Sequence, residues 1–194
     1  MVLMREVCQL YKLGIIRFGE FTLSSGKRST FYINLRELPS YPELFRYIMK
    51  KLLDKVDVEP YDAICGIAVG GIPFAAYIAF KYGKPLVYVR KKRKEYGAGD
   101  LIVGNVSGKN ILLIDDVATT GGSLIYATNV LRKNGAIVNR VALIVLRNKK
   151  VIDVLREHGV VLQYLYYAGD IIEVLYREGL IDRKNYERAL EELK

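Results

Sequence analysis

The chain has 194 residues, half of them apolar and about a quarter charged, with a formal net charge of +9. That length suits one domain with a real core, and no apolar run approaches the roughly 20 residues that span a bilayer. Two distant cysteines with no CxxC and a single histidine argue against a disulfide framework, a zinc cluster and a His-based triad.

The opening stretch MVLMREVCQLYKLG sets Arg5 and Glu6 among its apolar residues. It lacks the apolar centre of a signal peptide, so the cytoplasm is the expected compartment. Residues 2–13 are predicted to form an amphipathic helix closed by Gly14, and residues 41–53 a second one. Between them, FTLSSGKRSTFYINL alternates around a Ser-Ser-Gly turn and is predicted to form a hairpin-like pair of short strands.

A β/α rhythm follows. Strands are expected over 63–69, 85–90, 110–117, 137–147 and 160–166, with helices over 72–83, 123–135 and 151–159. Asp170 and Asp182 are each candidate N-caps of a terminal helix. Cys65, inside an apolar strand, is expected to be a small core residue. His158, before Gly159, is expected near a helix end. Alternating β and α with near-continuous Val/Ile/Leu strands predicts an α/β fold whose central, mostly parallel sheet is covered on both faces. Ligands of such sheets bind beyond the carboxyl ends of the strands. Chemistry is therefore expected in the loops after residues 69, 90, 116 and 147.

The charge fits either of two partners, a nucleic acid or a small polyanionic substrate. Only Arg90 to Lys94 form a local run of positives, and the others are scattered among acids. The stretch ILLIDDVATTGGSLIYA (111–127) favours the small substrate. Four aliphatics lead to the adjacent acids Asp115 and Asp116, and then small and hydroxylated residues open a helix. Two buried carboxylates without partners would be costly. Facing a crevice, they can accept hydrogen bonds from adjacent hydroxyls or take Mg²⁺ through water. The amides of Ala118 to Ser123 and the helix dipole suit a phosphate, with Thr119, Thr120 and Ser123 adding hydroxyl donors. Diol-binding acids beside a phosphate cradle describe a ribose 5-phosphate site. Neither a Walker A motif nor a strand-linked G-x-G-x-x-G is present.

This hydrophobic–Asp–Asp–small–Thr-x-Gly pattern resembles the phosphoribosyl-pyrophosphate (PRPP) signature of type I phosphoribosyltransferases. FGEFTLSSGKRSTFYIN (18–34) and RKKRKEYGAGDLIVG (90–104) resemble the amino-terminal segment and the catalytic loop of the orotate phosphoribosyltransferases. The likeness runs in order over about residues 14–147. It implies the type I phosphoribosyltransferase fold in a single domain, residues 1–194. About residues 1–40 would build a small hood, and 90–104 a mobile loop. The implied reaction moves ribose 5-phosphate from PRPP to orotate, giving orotidine 5′-monophosphate and pyrophosphate on the way to UMP.

By resemblance, Asp115 and Asp116 hold the ribose hydroxyls, and Val117, Ala118, Thr119, Thr120, Gly121, Gly122 and Ser123 hold the 5′-phosphate. Arg90, Lys91, Lys94 and Tyr96 in the loop, with Val69 and Gly70 after the first sheet strand, face the pyrophosphate; Lys94 is the catalytic cation. Thr119, Arg147, Ser24, Phe31 and Tyr32 lie on the orotate side. Mg²⁺ is expected to bind through PRPP and water, with Asp115 and Asp116 as candidate ligands. A homodimer is implied, the basic loop reaching the neighbouring site, with neither nucleic acid nor membrane as a partner. A cationic loop between glycines can close over a reactive sugar and exclude water.

Several positions depart from the family pattern. Ser24 stands where many members carry lysine, Val69-Gly70 where some have a Tyr-Lys pair and Tyr96 where histidine is frequent, and the Asp often preceding the Arg147 position is absent. Two alternatives share the fold: a phosphoribosyltransferase for a purine, and a PRPP- or nucleotide-binding transcriptional regulator. The aromatic amino-terminal segment argues against the first, and the lack of a helix-turn-helix extension against the second.

Overall fold

The computed structural model describes residues 5–22, 26, 28–91 and 100–194. In chain order it has α1 (Arg5–Lys12), β1 (Ile16–Thr22), β2 (Arg28–Ile33), a 3₁₀ turn (Leu35–Ser40) and α2 (Pro42–Leu53). These are followed by β3 (Ala63–Ile67), α3 (Ile72–Lys81), β4 (Leu86–Val89), β5 (Ile102–Val103) and β6 (Asn110–Ala118). The chain ends with α4 (Gly122–Lys133), β7 (Ile137–Leu146), α5 (Lys150–Glu157), β8 (Val161–Tyr167), α6 (Ala168–Arg177) and α7 (Arg183–Glu192). Two compact units divide the fold, one of Met1–Ile48 with Tyr166–Lys194 and one of Met49–Leu165.

The larger unit is the expected α/β body. Its sheet has the strand order β5-β4-β3-β6-β7-β8. The pairs β3–β4, β3–β6 and β6–β7 are parallel, and β5 runs antiparallel to β4. Ile111 to Ile114 of β6 are all fully buried, because a parallel strand covered on both faces has no wet side. Leu124, Ala127 and Leu131 of α4 and Val151 and Leu155 of α5 share a core with Cys65 and Ile67 of β3 and Leu143 of β7. Cys65 is thus a core residue, its thiol pushed up to about 12 by burial.

In the smaller unit, β1 and β2 form the expected antiparallel pair, with a register irregularity between Phe18 and Phe21. The unit also contains the motif-free end of the chain, so it extends beyond the hood of about residues 1–40 read from the sequence. The Thr30 amide and hydroxyl both donate to Glu192 Oε2, at 2.7 and 2.9 Å. Tyr166 donates to the buried Glu6 carboxylate at 2.8 Å. Burial and that acid push the tyrosine's pKa up.

Of the two expected caps, Asp182 accepts from the Asn185 amide at 2.7 Å and caps α7. Asp170 instead lies inside the first turn of α6, whose N-cap is Tyr167. The two-residue strand β5 was not expected from the sequence. Its pairs Tyr88↔Val103 and Val89↔Ile102 bring the chain back beside β4.

Candidate active site

The strand order locates the site before any side chain is considered. From β3 the connection through α3 leads to β4 on one side, and from β6 the connection through α4 leads to β7 on the other. The β3/β6 junction is therefore the topological switch point, where open α/β sheets leave a crevice at the strands' carboxyl ends. The ladder from β3 to β6 ends at Gly66↔Ile114, whereas β6 stays paired with β7 through Val117↔Val145 and Ala118↔Leu146. Asp115 and Asp116 are thus not at the end of their strand. They lie where β6 has lost its neighbour on one side only, and Val117 and Ala118 extend the strand because they still have β7 to pair with.

The two acids differ. Asp115 is 6% exposed and Asp116 half-buried. Asp115 Oδ1 accepts from the Asp116 amide at 3.0 Å, and Asp116 Oδ1 from the Val117 amide at 2.9 Å. Burial first, and then the Asp116 charge, push the Asp115 pKa well above its ordinary value; Lys91 partly offsets this. An isolated pair of this kind favours holding a proton. A ligand offering hydroxyl donors or a cation would relieve the same repulsion.

Beyond β6 the connection is shorter than the expected Val117–Ser123 loop. Val117 and Ala118 belong to the strand, and Gly122 and Ser123 open α4, leaving Thr119, Thr120 and Gly121 as the loop. Gly121 is the N-cap, with φ near 80° and no side chain to satisfy the first turn. First-turn amides of a helix have no intrahelical acceptor and carry the positive end of the dipole. They form an anion seat here, rimmed by the half-exposed Thr119 and Ser123 and the exposed Thr120.

Three further segments frame the crevice. After β3, Val69 is 72% exposed while Gly70 and Gly71 are buried. The Gly71 amide donates to Ile67 O at 2.9 Å, and an added β-carbon there would lie 3.1 Å from the Asp115 Cα. After β4, the Arg90 amide donates to Leu101 O at 2.8 Å, which ties the two ends of the basic segment together. The Arg90 guanidinium lies 5.6 Å over the Tyr88 ring, and Lys91 is exposed. After β7, the Arg147 amide donates to Ala118 O at 2.8 Å, placing this buried arginine beside the start of the β6–α4 loop. All four loops singled out in the sequence thus stand at the carboxyl ends of the β strands of one sheet.

The comparisons with known proteins agree with this geometry. The model of the phosphoribosyl transferase domain matches residues 41–161. An orotate phosphoribosyltransferase of Sulfurisphaera tokodaii is 41% identical over 179 residues, covering 91% of this chain and 92% of its own length. The chain belongs to the orotate phosphoribosyltransferase family. A family member from Staphylothermus marinus is 42% identical over 95% of this chain and 91% of its own. The crystal structure of the orotate phosphoribosyltransferase from Aeropyrum pernix superposes with a TM-score of 0.77 at 34% identity, over 91% of this chain and 99% of that one.

Among the residues that the family resemblance singled out, Ser24, Lys94 and Tyr96 lie outside the described residues. Phe31 and Tyr32 belong to the smaller unit. Phe31 is 1% exposed, a core residue with its ring 6.2 Å from that of Phe18. Alternation along β2 turns Tyr32 the other way, where it is half-buried and stacked on Phe21 at 5.6 Å. Sequence reasoning missed the tight fit of the β3–α3 loop against the acids. The doubled glycine at 70–71 was the available signal.

Proposed function

We propose that the chain transfers the ribose 5-phosphate group of PRPP to orotate, forming orotidine 5′-monophosphate and releasing pyrophosphate. The observation that carries this reading is the acid pair at the open edge of β6, one short loop away from the unfilled first turn of α4. Those acids suit a vicinal diol, and the helix start suits the 5′-phosphate attached to the same sugar. Membership of the family supports orotate as the acceptor.

Breaking the bond between C1 and pyrophosphate leaves positive character on the sugar and negative charge on the leaving group. Asp115 and Asp116 hold the hydroxyls and keep negative charge beneath the sugar. Arg90 and Lys91 face the leaving group, joined by Lys94, whose role rests on its place in the basic loop. Arg147, beside Thr119, orients the base. Adjacent carboxylates are hard oxygen donors of the kind Mg²⁺ accepts. Asp115 and Asp116 would stand at the edge of an ion carried by PRPP and water. Mg²⁺ would supply charge neutralisation to the departing pyrophosphate.

The reading includes a cytoplasmic homodimer in which the basic loop of one copy serves the other. Among the described residues no helix is long and apolar enough to cross a membrane.

The test is turnover. Protein, Mg²⁺ and PRPP are mixed with orotate or with a panel of purines, and loss of the free base is followed. Orotate should be consumed and purines left. No orotate turnover at micromolar enzyme overturns the reading, and consumption of a purine instead reassigns the acceptor.

A further inference from the structure

The end of β4 builds a seat for the first cation of the basic segment. Val87 and Val89 are buried in the core that the sheet shares with α4 and α5, and alternation turns Tyr88 to the opposite face. The bond from the Arg90 amide to Leu101 O, at 2.8 Å, carries the extended path one residue past the strand, so Arg90 shares the face of Tyr88. There the guanidinium lies over the tyrosine ring, 5.6 Å from its centroid, within the range of a cation–π attraction. Its Nη2 donates to the Tyr88 hydroxyl at 3.4 Å and its Nη1 to the Asp100 carbonyl oxygen at 3.5 Å. Both hydrogen bonds are long, so the ring supplies most of the seat. A ring face, a phenol and a carbonyl are all neutral. They orient the arginine without cancelling its charge, and two contacts leave further N–H donors of its five-donor fork for an anion.

We propose that Tyr88 is a positioning residue for Arg90, its ring the platform that holds the guanidinium at the carboxyl end of β4. The proposal rests on the reading of Arg90 as a cation that faces the departing pyrophosphate. A long side chain loses rotamer freedom when a ligand fixes it. A platform beneath it moves that loss from binding to folding, and the charge is in place when the leaving group becomes anionic. Tyr88 acts through the arginine, not on the substrate.

The experiment compares Tyr88→Leu, Tyr88→Phe, Arg90→Ala and the double variant Tyr88→Leu/Arg90→Ala with the parent, reading kcat and KM for PRPP together with the melting temperature. Tyr88→Leu should lower kcat/KM for PRPP by about fivefold, the size of one ring–cation contact at a partly exposed site. Tyr88→Phe, which keeps the ring, should recover most of that loss. The double variant should be no worse than Arg90→Ala alone, because both changes remove one interaction. Any packing that leucine loses is lost in either background, so this comparison isolates the contact with Arg90. Unchanged PRPP kinetics in Tyr88→Leu beside an impaired Arg90→Ala overturn the proposal. So do losses that simply add, or a loss as large with phenylalanine as with leucine. Normal PRPP use by Arg90→Ala instead overturns the reading of the arginine, and the proposal with it. If leucine prevents folding, Tyr88→Met, flexible enough to fill the same space, is judged by the same comparisons.

Discussion

Asp115 is a buried acid at the candidate site. Its folded pKa lies above its ordinary value of 3.8, through burial and the neighbouring Asp116. A raised carboxylate leaves the fold unpenalised below the unfolded pKa. Stability is then lost as the pH rises through the folded value. Asp115→Asn should therefore melt higher than the parent at pH 7, by about 1 kcal/mol, a size common for single stabilising substitutions. The difference should close as the pH falls toward 4. A gap that is equal at pH 4 and pH 7, measured by calorimetry, would show that the buried charge is not its source. The sequence revealed that two acids adjoin but not which one is buried, because burial depends on which neighbouring strand stops first. The same limit explains Phe31. Alternation puts Phe31 and Tyr32 on opposite faces of β2, and only packing decides which face is inside.

At the scale of elements, the turn from β6 to α4 shows how three residues make an anion seat. Gly121 holds a left-handed backbone, and an added β-carbon would meet Val151 Cγ1 at 3.1 Å. Gly121→Ala should destabilise the fold by about 1–2 kcal/mol, the cost of an L side chain in that region. It should also weaken phosphate binding. Gly122→Ala, in the first turn with nothing nearer than Thr120 Oγ1 at 3.7 Å, should be neutral for the fold. Urea melts of the two variants test the pair, and equal losses would contradict the assignment of the turn. The glycines and the change from aliphatic to polar were visible in the sequence. The end of the strand was not, since Val117 and Ala118 stay in β6 only because β7 continues beside them.

For the whole molecule, the two chain ends share one compact unit, and the Glu192 carboxylate is among the groups that join them. Glu192 of α7 accepts two hydrogen bonds from Thr30 of β2. Glu192→Ala should cost about 1.5–3 kcal/mol, the range for hydrogen bonds to a charged group, and should speed exchange of the Thr30 amide. An unchanged exchange rate would mean that the carboxylate does not hold the hairpin. This pairing could not be read along the chain because its partners are 162 residues apart and Glu192 belongs to no motif.

The sequence by itself determined the α/β class, the order of most elements and the residue types that the candidate site brings together. Apolar periodicity and the Asp-Asp-small-Thr-x-Gly run are local properties that survive in one dimension. It also indicated the family, through three motifs in the right order. Tertiary structure decided what depends on neighbours distant in the chain. It set the switch point between β3 and β6, the unequal burial of Asp115 and Asp116, and the return of β5 beside β4. It also set the packing of Phe31. Each depends on which strand or loop comes to lie alongside, and packing is a property of surfaces that meet only when the chain has folded.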